Sequence, residues 1–119
     1  MGIYRLALSV ILGGSCFFLF AESNETTTAS YYGEKYRGKP TASGELFNPD
    51  KLTAAMWDVP FGSLIEVHYH DKVVVVRIND RGPAKRLKRG IDLSKAAFKA
   101  LAPLELGLIK VKLIKRKGI

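Results

Sequence analysis

The sequence has a single cysteine, Cys16, and it lies in an apolar stretch near the start. If that stretch is removed, the remaining chain can build neither a disulfide framework nor a cysteine metal site. Histidine is almost as scarce: His68 and His70 stand two apart in a segment of strand character, which faces them the same way. No third ligand accompanies them, so they read as a surface pair, and neither a metal nor a cofactor is called for. Acidic side chains are also few, 11 against 19 Lys and Arg, which gives a net charge of +8. A basic face favours a polyanionic partner. None of the nucleic-acid-binding module motifs is present, which points away from nucleic acid. Internal repeats and low-complexity tracts are absent too. The longest apolar run, Leu6 to Phe20, falls short of the roughly 20 residues that a membrane-spanning helix needs.

That apolar run has a function of its own. Arg5 precedes it and Ala21-Glu22-Ser23 follows, the pattern of a signal peptide over residues 1–23 with a small-x-small cleavage site after Ser23. A second reading makes Gly14-Ser15-Cys16 a lipoprotein signal with an acyl anchor on Cys16, though Phe17 to Phe20 continue the apolar run where polar linker is expected. An uncleaved anchor is the third. All three export the domain, to the periplasm or cell envelope, and the lipoprotein reading places it on the outer membrane. There the polyanion is a cell-wall polymer or anionic lipid. After cleavage no stable membrane span remains.

The mature chain is long enough for one core and too short for two. Its composition, 47% apolar and 25% charged over the whole sequence, is that of a globular protein. Residues 24–28 are polar and Thr-rich and read as a flexible leader, with the domain over 29–119. Asn48-Pro49-Asp50 has the form of a helix start. Leu64 to His70 reads as a strand, and a tight connection at Asp71-Lys72 leads to Val73 to Asn79, whose four consecutive valines suggest burial on both faces. Ser94 is placed to cap a short helix, Lys95 to Leu101, with Ala97, Phe98 and Leu101 on one face. Ile109 to Leu113 alternates apolar residues with Lys110 and Lys112, a half-exposed strand. Short strands, one or two short helices and many Gly/Pro turns suggest a small, mainly β barrel.

Five segments occur in order: Ala29-Ser30-Tyr31-Tyr32-Gly33, Thr41-Ala42-Ser43-Gly44-Glu45-Leu46-Phe47, Thr53-Ala54-Ala55, Arg77-Ile78-Asn79-Asp80-Arg81-Gly82-Pro83 and Ile91-Asp92-Leu93-Ser94. Together they resemble the rare lipoprotein A (RlpA) family of bacterial cell-wall proteins. The resemblance implies a six-stranded double-psi β-barrel, a fold also found in expansins. It implies lytic transglycosylase activity on peptidoglycan glycan strands, with preference for peptide-free strands and products ending in 1,6-anhydromuramyl groups. The domain is expected to act as a monomer.

Glycosidic cleavage needs a proton delivered to the leaving oxygen. In a lytic reaction the muramyl 6-hydroxyl is the nucleophile, so one carboxyl group with a raised pKa can serve as acid and then as base. Glu45 is the first candidate, on a Ser-Gly turn and matching the family's acid after Thr-Ala-Ser-Gly. Asp80, at the end of the valine strand, is the second. Asp92 reads as ordering the start of the Ser94 helix, and Arg81 as an ion-pair partner of Asp80 or of a glycan carboxylate. Tyr31, Tyr32, Asn48, Trp57 and Arg81 are the candidate substrate-binding residues. Two positions depart from the family: Asn48 stands where it usually has Asp, and Met56 where it has His. Neither can move a proton at useful pH. These departures favour a rival reading, a non-catalytic, expansin-like peptidoglycan-binding module. A third reading is a structural septal protein recruited through its basic surface.

Overall fold

The computed structural model describes residues 24–116. The signal segment lies outside them, and with it the choice between cleavage after Ser23 and acylation of Cys16. Six strands form a closed barrel: β1 (Asn24–Tyr32), β2 (Thr53–Ala55), β3 (Leu64–Tyr69), β4 (Lys72–Asp80), β5 (Ile91–Ser94) and β6 (Ile109–Lys115). Their order around the barrel is β1-β5-β2-β4-β3-β6. The pairs β1·β5 and β2·β4 are parallel and the other four antiparallel. Among the described residues one α-helix, α1 (Lys95–Leu101), packs on the barrel, together with three single turns of 3-10 helix. Ile65, Val67, Val76, Ile78, Leu93 and Phe98 are at the centre of the core.

Where local chemistry is self-sufficient, the expected elements form. Ser94 Oγ accepts from Ala97 N at 3.2 Å and caps α1, which buries Ala97, Phe98 and Leu101. Along β6, buried Ile109, Val111 and Leu113 alternate with exposed Lys110 and Lys112.

Four expectations are corrected. Residues 24–28 are not a leader but the first half of β1, paired antiparallel with Lys110 to Ile114 of β6. Threonine is a good strand former whatever its polarity, and this outward-facing segment supplies the pairing that closes the barrel. The valine run is not buried on both faces. Val74 and Val76 point inward, whereas Val73 is 52% exposed, because β-branched residues suit the pleat on either face. Asn48-Pro49-Asp50 starts no helix: Asn48 Oδ1 accepts from Asp50 N at 2.9 Å, an Asx turn. Pro49 O then accepts from Ala96 N, and Ser94 Oγ donates to Lys51 O, so the turn docks on the first turn of α1. Finally, His68 and His70 do not share a face. His70 sits in the β3–β4 turn with φ 53°, while His68 Nε2 meets Glu66 Oε1 at 2.9 Å on β3.

Gly90, just before β5, is required by space rather than by φ. A Cβ there would lie 2.5 Å from Thr27 side-chain atoms on β1. The glycine lets the chain entering β5 lie close against β1, with which β5 pairs in parallel.

Candidate functional site

The parallel pair β2·β4 and the antiparallel pair β2·β5 bring three strand ends together. Ala55, the last residue of β2, is in register with Asp80 of β4 on one side and Asp92 of β5 on the other. Two strand spacings separate the backbones of the two aspartates, roughly 10 Å, and alternation in register puts both on the same side of the sheet. Ala55 between them is small and buried, so it forms a floor. On the far side of β5, Ser30 of β1 is in register with Asp92.

Each carboxylate is held differently. Asp80 Oδ1 accepts from two backbone N–H groups, Ala42 at 2.9 Å and Arg81 at 2.8 Å, while Oδ2 takes no bond from the described residues. Asp92 Oδ1 accepts from Ser30 Oγ, and Arg89 Nη1 donates to the same hydroxyl at 3.3 Å. Burial pushes the Asp92 carboxyl above the ordinary range; the Ser30 bond and Arg89 oppose this, and the negative charge of Asp80 adds to it.

The two aspartates line an open groove of about 250 Å³. Tyr32, Tyr36, Phe47 and Thr41 form one wall, and the Arg81–Ala84 turn forms the other. Tyr32 stacks on Phe47 with centroids 4.4 Å apart and meets Tyr36 edge-on. Its hydroxyl is buried with no hydrogen-bond partner among the described residues. Burial first, then the charges of Asp80 and Asp92, raises its pKa well above that of an ordinary phenol.

Glu45 lies outside the groove lining. Arg77 and Asn79, two apart on β4, share one face of that strand and take its carboxylate, with Asn79 buried beneath it. Arg77 Nη1 and Nη2 donate to Oε1 and Oε2 at 2.9 and 2.7 Å, and Asn79 Nδ2 donates to Oε1 at 3.1 Å. The expected rise in its pKa is therefore reversed: hydrogen bonds from Arg77 and then Asn79 lower it to about 2. A group so held is a poor proton donor. What it does is tie the Thr41–Glu45 turn to β4, which presents the Ala42 N–H to Asp80.

Of the candidate binding residues, Tyr32 and Arg81 line the groove and the other three do not. Tyr31 packs on Phe98, centroids 4.7 Å apart, with its hydroxyl on Leu104 O. Asn48 is occupied by its Asx turn. Trp57 donates from Nε1 to Pro83 O at 2.6 Å and faces a separate, larger cavity, which Met56 also lines. Arg81 makes no ion pair with Asp80 among the described residues; its guanidinium donates to Met56 O at 3.1 Å and stacks 3.9 Å from the centroid of Phe61. Asp92 is the groove residue that the sequence reading placed elsewhere, at the start of the Ser94 helix. Ser94 alone caps α1, which leaves Asp92 free for the groove. Its signal was the Ile91-Asp92-Leu93-Ser94 segment, in which an acid stands between two core residues of a strand. Among the described residues no cluster of three His, Cys, Asp or Glu could hold a metal ion, and no helix is long and apolar enough to cross a membrane.

Comparison with known proteins agrees with this architecture. The model of the lytic transglycolase family, a double-psi β-barrel domain, matches residues 24–113. The chain therefore belongs to the RlpA-type lytic transglycolase family of double-psi β-barrels. A curated relative from Treponema pallidum, named a probable endolytic peptidoglycan transglycosylase RlpA, is 49% identical over 89 residues, 73% of this chain. The matched part is 28% of that relative, so the chain spans well under half of its length. Among solved structures, the Streptomyces papain inhibitor matches with a TM-score of 0.67 and 26% identity, covering 80% of this chain and 96% of that one. A mutant expansin from Clavibacter michiganensis, in complex with cellohexaose, matches with a TM-score of 0.66 over 80% of this chain and 51% of its own. At 17% identity the expansin likeness speaks to the fold alone.

Proposed function

We propose that this domain is an endolytic peptidoglycan transglycosylase that cleaves MurNAc-GlcNAc strands in the Asp80–Asp92 groove. It acts as an exported, cell-envelope enzyme. The observation that carries the reading is the pair of carboxylates flanking Ala55, one of them raised in pKa by burial beside the other's charge. A carboxyl whose acid form is favoured by burial, set beside a second carboxylate, is an arrangement that acid–base chemistry uses. The name of the Treponema relative supports the substrate.

In this reading protonated Asp92 gives its proton to the glycosidic oxygen as the bond to the muramyl C1 breaks. Asp80, with Oδ2 open, faces the positive charge that develops on that sugar. The muramyl 6-hydroxyl then attacks C1, and the Asp92 carboxylate takes the hydroxyl proton. The anhydro ring closes, no water is consumed, and Asp92 is again protonated. The stacked faces of Tyr32 and Phe47 supply an aromatic wall for a sugar ring.

The test incubates the protein with peptide-free glycan strands and looks for anhydromuramyl products by mass spectrometry. Wild type should yield them, and Asp92→Asn should lose rate by about 10²-fold or more, the usual result of removing a general acid. Unchanged cleavage by Asp92→Asn would remove it from the mechanism. The rival, an expansin-like binding module, has a specific observation behind it: Asn48 is held in a turn and Met56 is buried, and neither an amide nor a thioether at these family positions moves a proton. Binding of the strands by wild type with no products would establish that reading instead.

A further inference from the structure

Between Asp80 and Asp92 the chain carries no acidic residue, and the connection there includes Lys85-Arg86-Leu87-Lys88-Arg89. A single turn of 3-10 helix, Lys85–Leu87, is followed by Lys88 in the left-handed region at φ 57°, so the cations are gathered in one short loop. Leu87 is 43% exposed in the middle of them, an apolar side chain left in water. The loop borders the larger cavity, about 480 Å³, which has no part in the chemistry above. Lys85, Arg89 and Lys115 line it, as does the indole of Trp57. That indole is 37% exposed, held by its bond to Pro83 O, with Lys85 Nζ 5.1 Å from its ring centroid. Arg89 is committed to Ser30 Oγ. Lys85, Arg86, Lys88 and Lys115 make no ion pair among the described residues. Glu25 and Asp58 are the acids of the cavity lining, so the face keeps a positive excess.

A soluble polyanion asks for cations alone, and would leave Leu87 and Trp57 in water. An anionic bilayer uses all three kinds of group. Cations meet the headgroup phosphates, an indole sits at headgroup level, and a leucine enters the acyl boundary. The order of the chain points the same way. β1 begins at Asn24, directly after the apolar segment of residues 1–23, and Glu25 lines the same cavity. An acyl group on Cys16 or an uncleaved segment would therefore lead into the domain at this face. One acyl chain alone holds a protein only weakly, and a polybasic patch is the usual second signal. We propose that the Lys85–Arg89 loop, with Trp57 and Lys115, docks the domain on the anionic phospholipid surface of a bilayer. The inference goes beyond the chemistry of the groove and does not depend on it. Because the adjoining Arg81–Ala84 turn forms one wall of the groove, docking holds the groove at the membrane surface.

Trp57 is the sole tryptophan, so its emission reports this face and not residues 1–23. The whole chain is mixed with vesicles of phosphatidylcholine alone, or of equal parts phosphatidylcholine and phosphatidylglycerol, with and without brominated acyl chains as quenchers. On the anionic vesicles Trp57 emission should shift to shorter wavelength and be quenched, and added salt should weaken both effects. Phosphatidylcholine alone should produce neither, whether or not residues 1–23 insert. Arg86→Gln/Lys88→Gln should lower the apparent vesicle affinity about thirtyfold, at about fivefold per cation. Leu87→Ser should lower it about fivefold and keep its salt dependence. Lys110→Gln/Lys112→Gln removes the same charge from exposed positions of β6 and should change the affinity by no more than about threefold. Circular dichroism verifies that all three variants fold. Equal weakening by the two double variants would make the binding an effect of net charge and overturn the face. Equal Trp57 responses on both kinds of vesicle, or none on either, would overturn the recognition of anionic lipid. Soluble poly(glycerol phosphate) bound as tightly as the vesicles, with Leu87→Ser equal to wild type, would assign the face to a cell-wall polyanion instead.

Discussion

Glu45 carries the most testable residue-scale claim, because its environment gives it a definite sign. Arg77 and Asn79 depress its pKa from 4.5 to about 2, so it is charged in the fold at any pH above that value. Such a group adds stability that is fully present above the unfolded pKa and is lost as pH falls from 4.5 towards 2. The pair is part-exposed, with side chains 35% and 40% accessible, so screening limits its worth to about 1 kcal/mol or less. Glu45→Gln should therefore lower stability at neutral pH slightly and remove part of the loss seen on acidification. Urea unfolding at pH 7 and pH 3 would measure it; an identical pH dependence in wild type and variant would show the ion pair to be inert. In the proposed mechanism Glu45 serves through the Ala42 N–H that it helps to present, so cleavage should fall less than tenfold, in contrast to Asp92→Asn. Asp92 has the opposite sign. Its pKa is raised, so the acid form, the proton donor in the proposed mechanism, is present below that pKa and is lost as pH rises through it. The cleavage rate should fall with rising pH on a limb that Asp92→Asn abolishes, and a pH–rate profile would check it. Neither sign was legible in the sequence. Glu45 and Asp92 are both acids within quoted motifs, and which one has its pKa raised and which lowered depends on neighbours 32 and 62 positions away.

The elements differ in how far their own residues determine them. Ser94 followed by Lys95 to Leu101 contains its cap, its apolar face and, at Pro103, its stop, so it could be read locally. β6 shows its alternation in the same way. The valine run and the Asn48-Pro49-Asp50 turn could not be assigned locally, because one pattern serves two outcomes. Valine favours a strand on either face, and Asn-Pro starts turns as readily as helices. The cap gives a prediction at this scale. Ser94 is fully buried and its hydroxyl both accepts from Ala97 N and donates to Lys51 O. Ser94→Ala removes both bonds and should cost about 1–2 kcal/mol, lowering Tm by roughly 4–16 °C in a domain of this size. Ser94→Asp should fail to restore wild-type stability, because a carboxylate can cap Ala97 but cannot donate to Lys51. Thermal unfolding of the three proteins decides it; full recovery by Ser94→Asp would reduce Ser94 to an ordinary cap.

At the scale of the whole molecule, the barrel depends on the segment that looked least structural. Residues 24–28 pair with β6, and the remainder of β1 pairs with β5. One continuous strand therefore joins the β3·β6 side of the barrel to the strand end that carries Ser30 beside Asp92. Removing 24–28 would leave β6 with an unpaired edge. It would also withdraw Thr27, against which Gly90 packs to set the approach of β5. The loss should thus reach the groove through β5, although no deleted residue touches it. A chain beginning at Asn24 should unfold cooperatively and keep the Asp92 chemistry. A chain beginning at Ala29 should unfold over a broader range, expose apolar surface to dye, and lose cleavage by far more than its loss of binding contacts would explain. Hydrogen exchange would locate the effect, with protection lost first in β6 and then in β5 around Ile91 to Ser94. If the chain beginning at Ala29 keeps a sharp transition and full β5 protection, closure through residues 24–28 does not hold the site together.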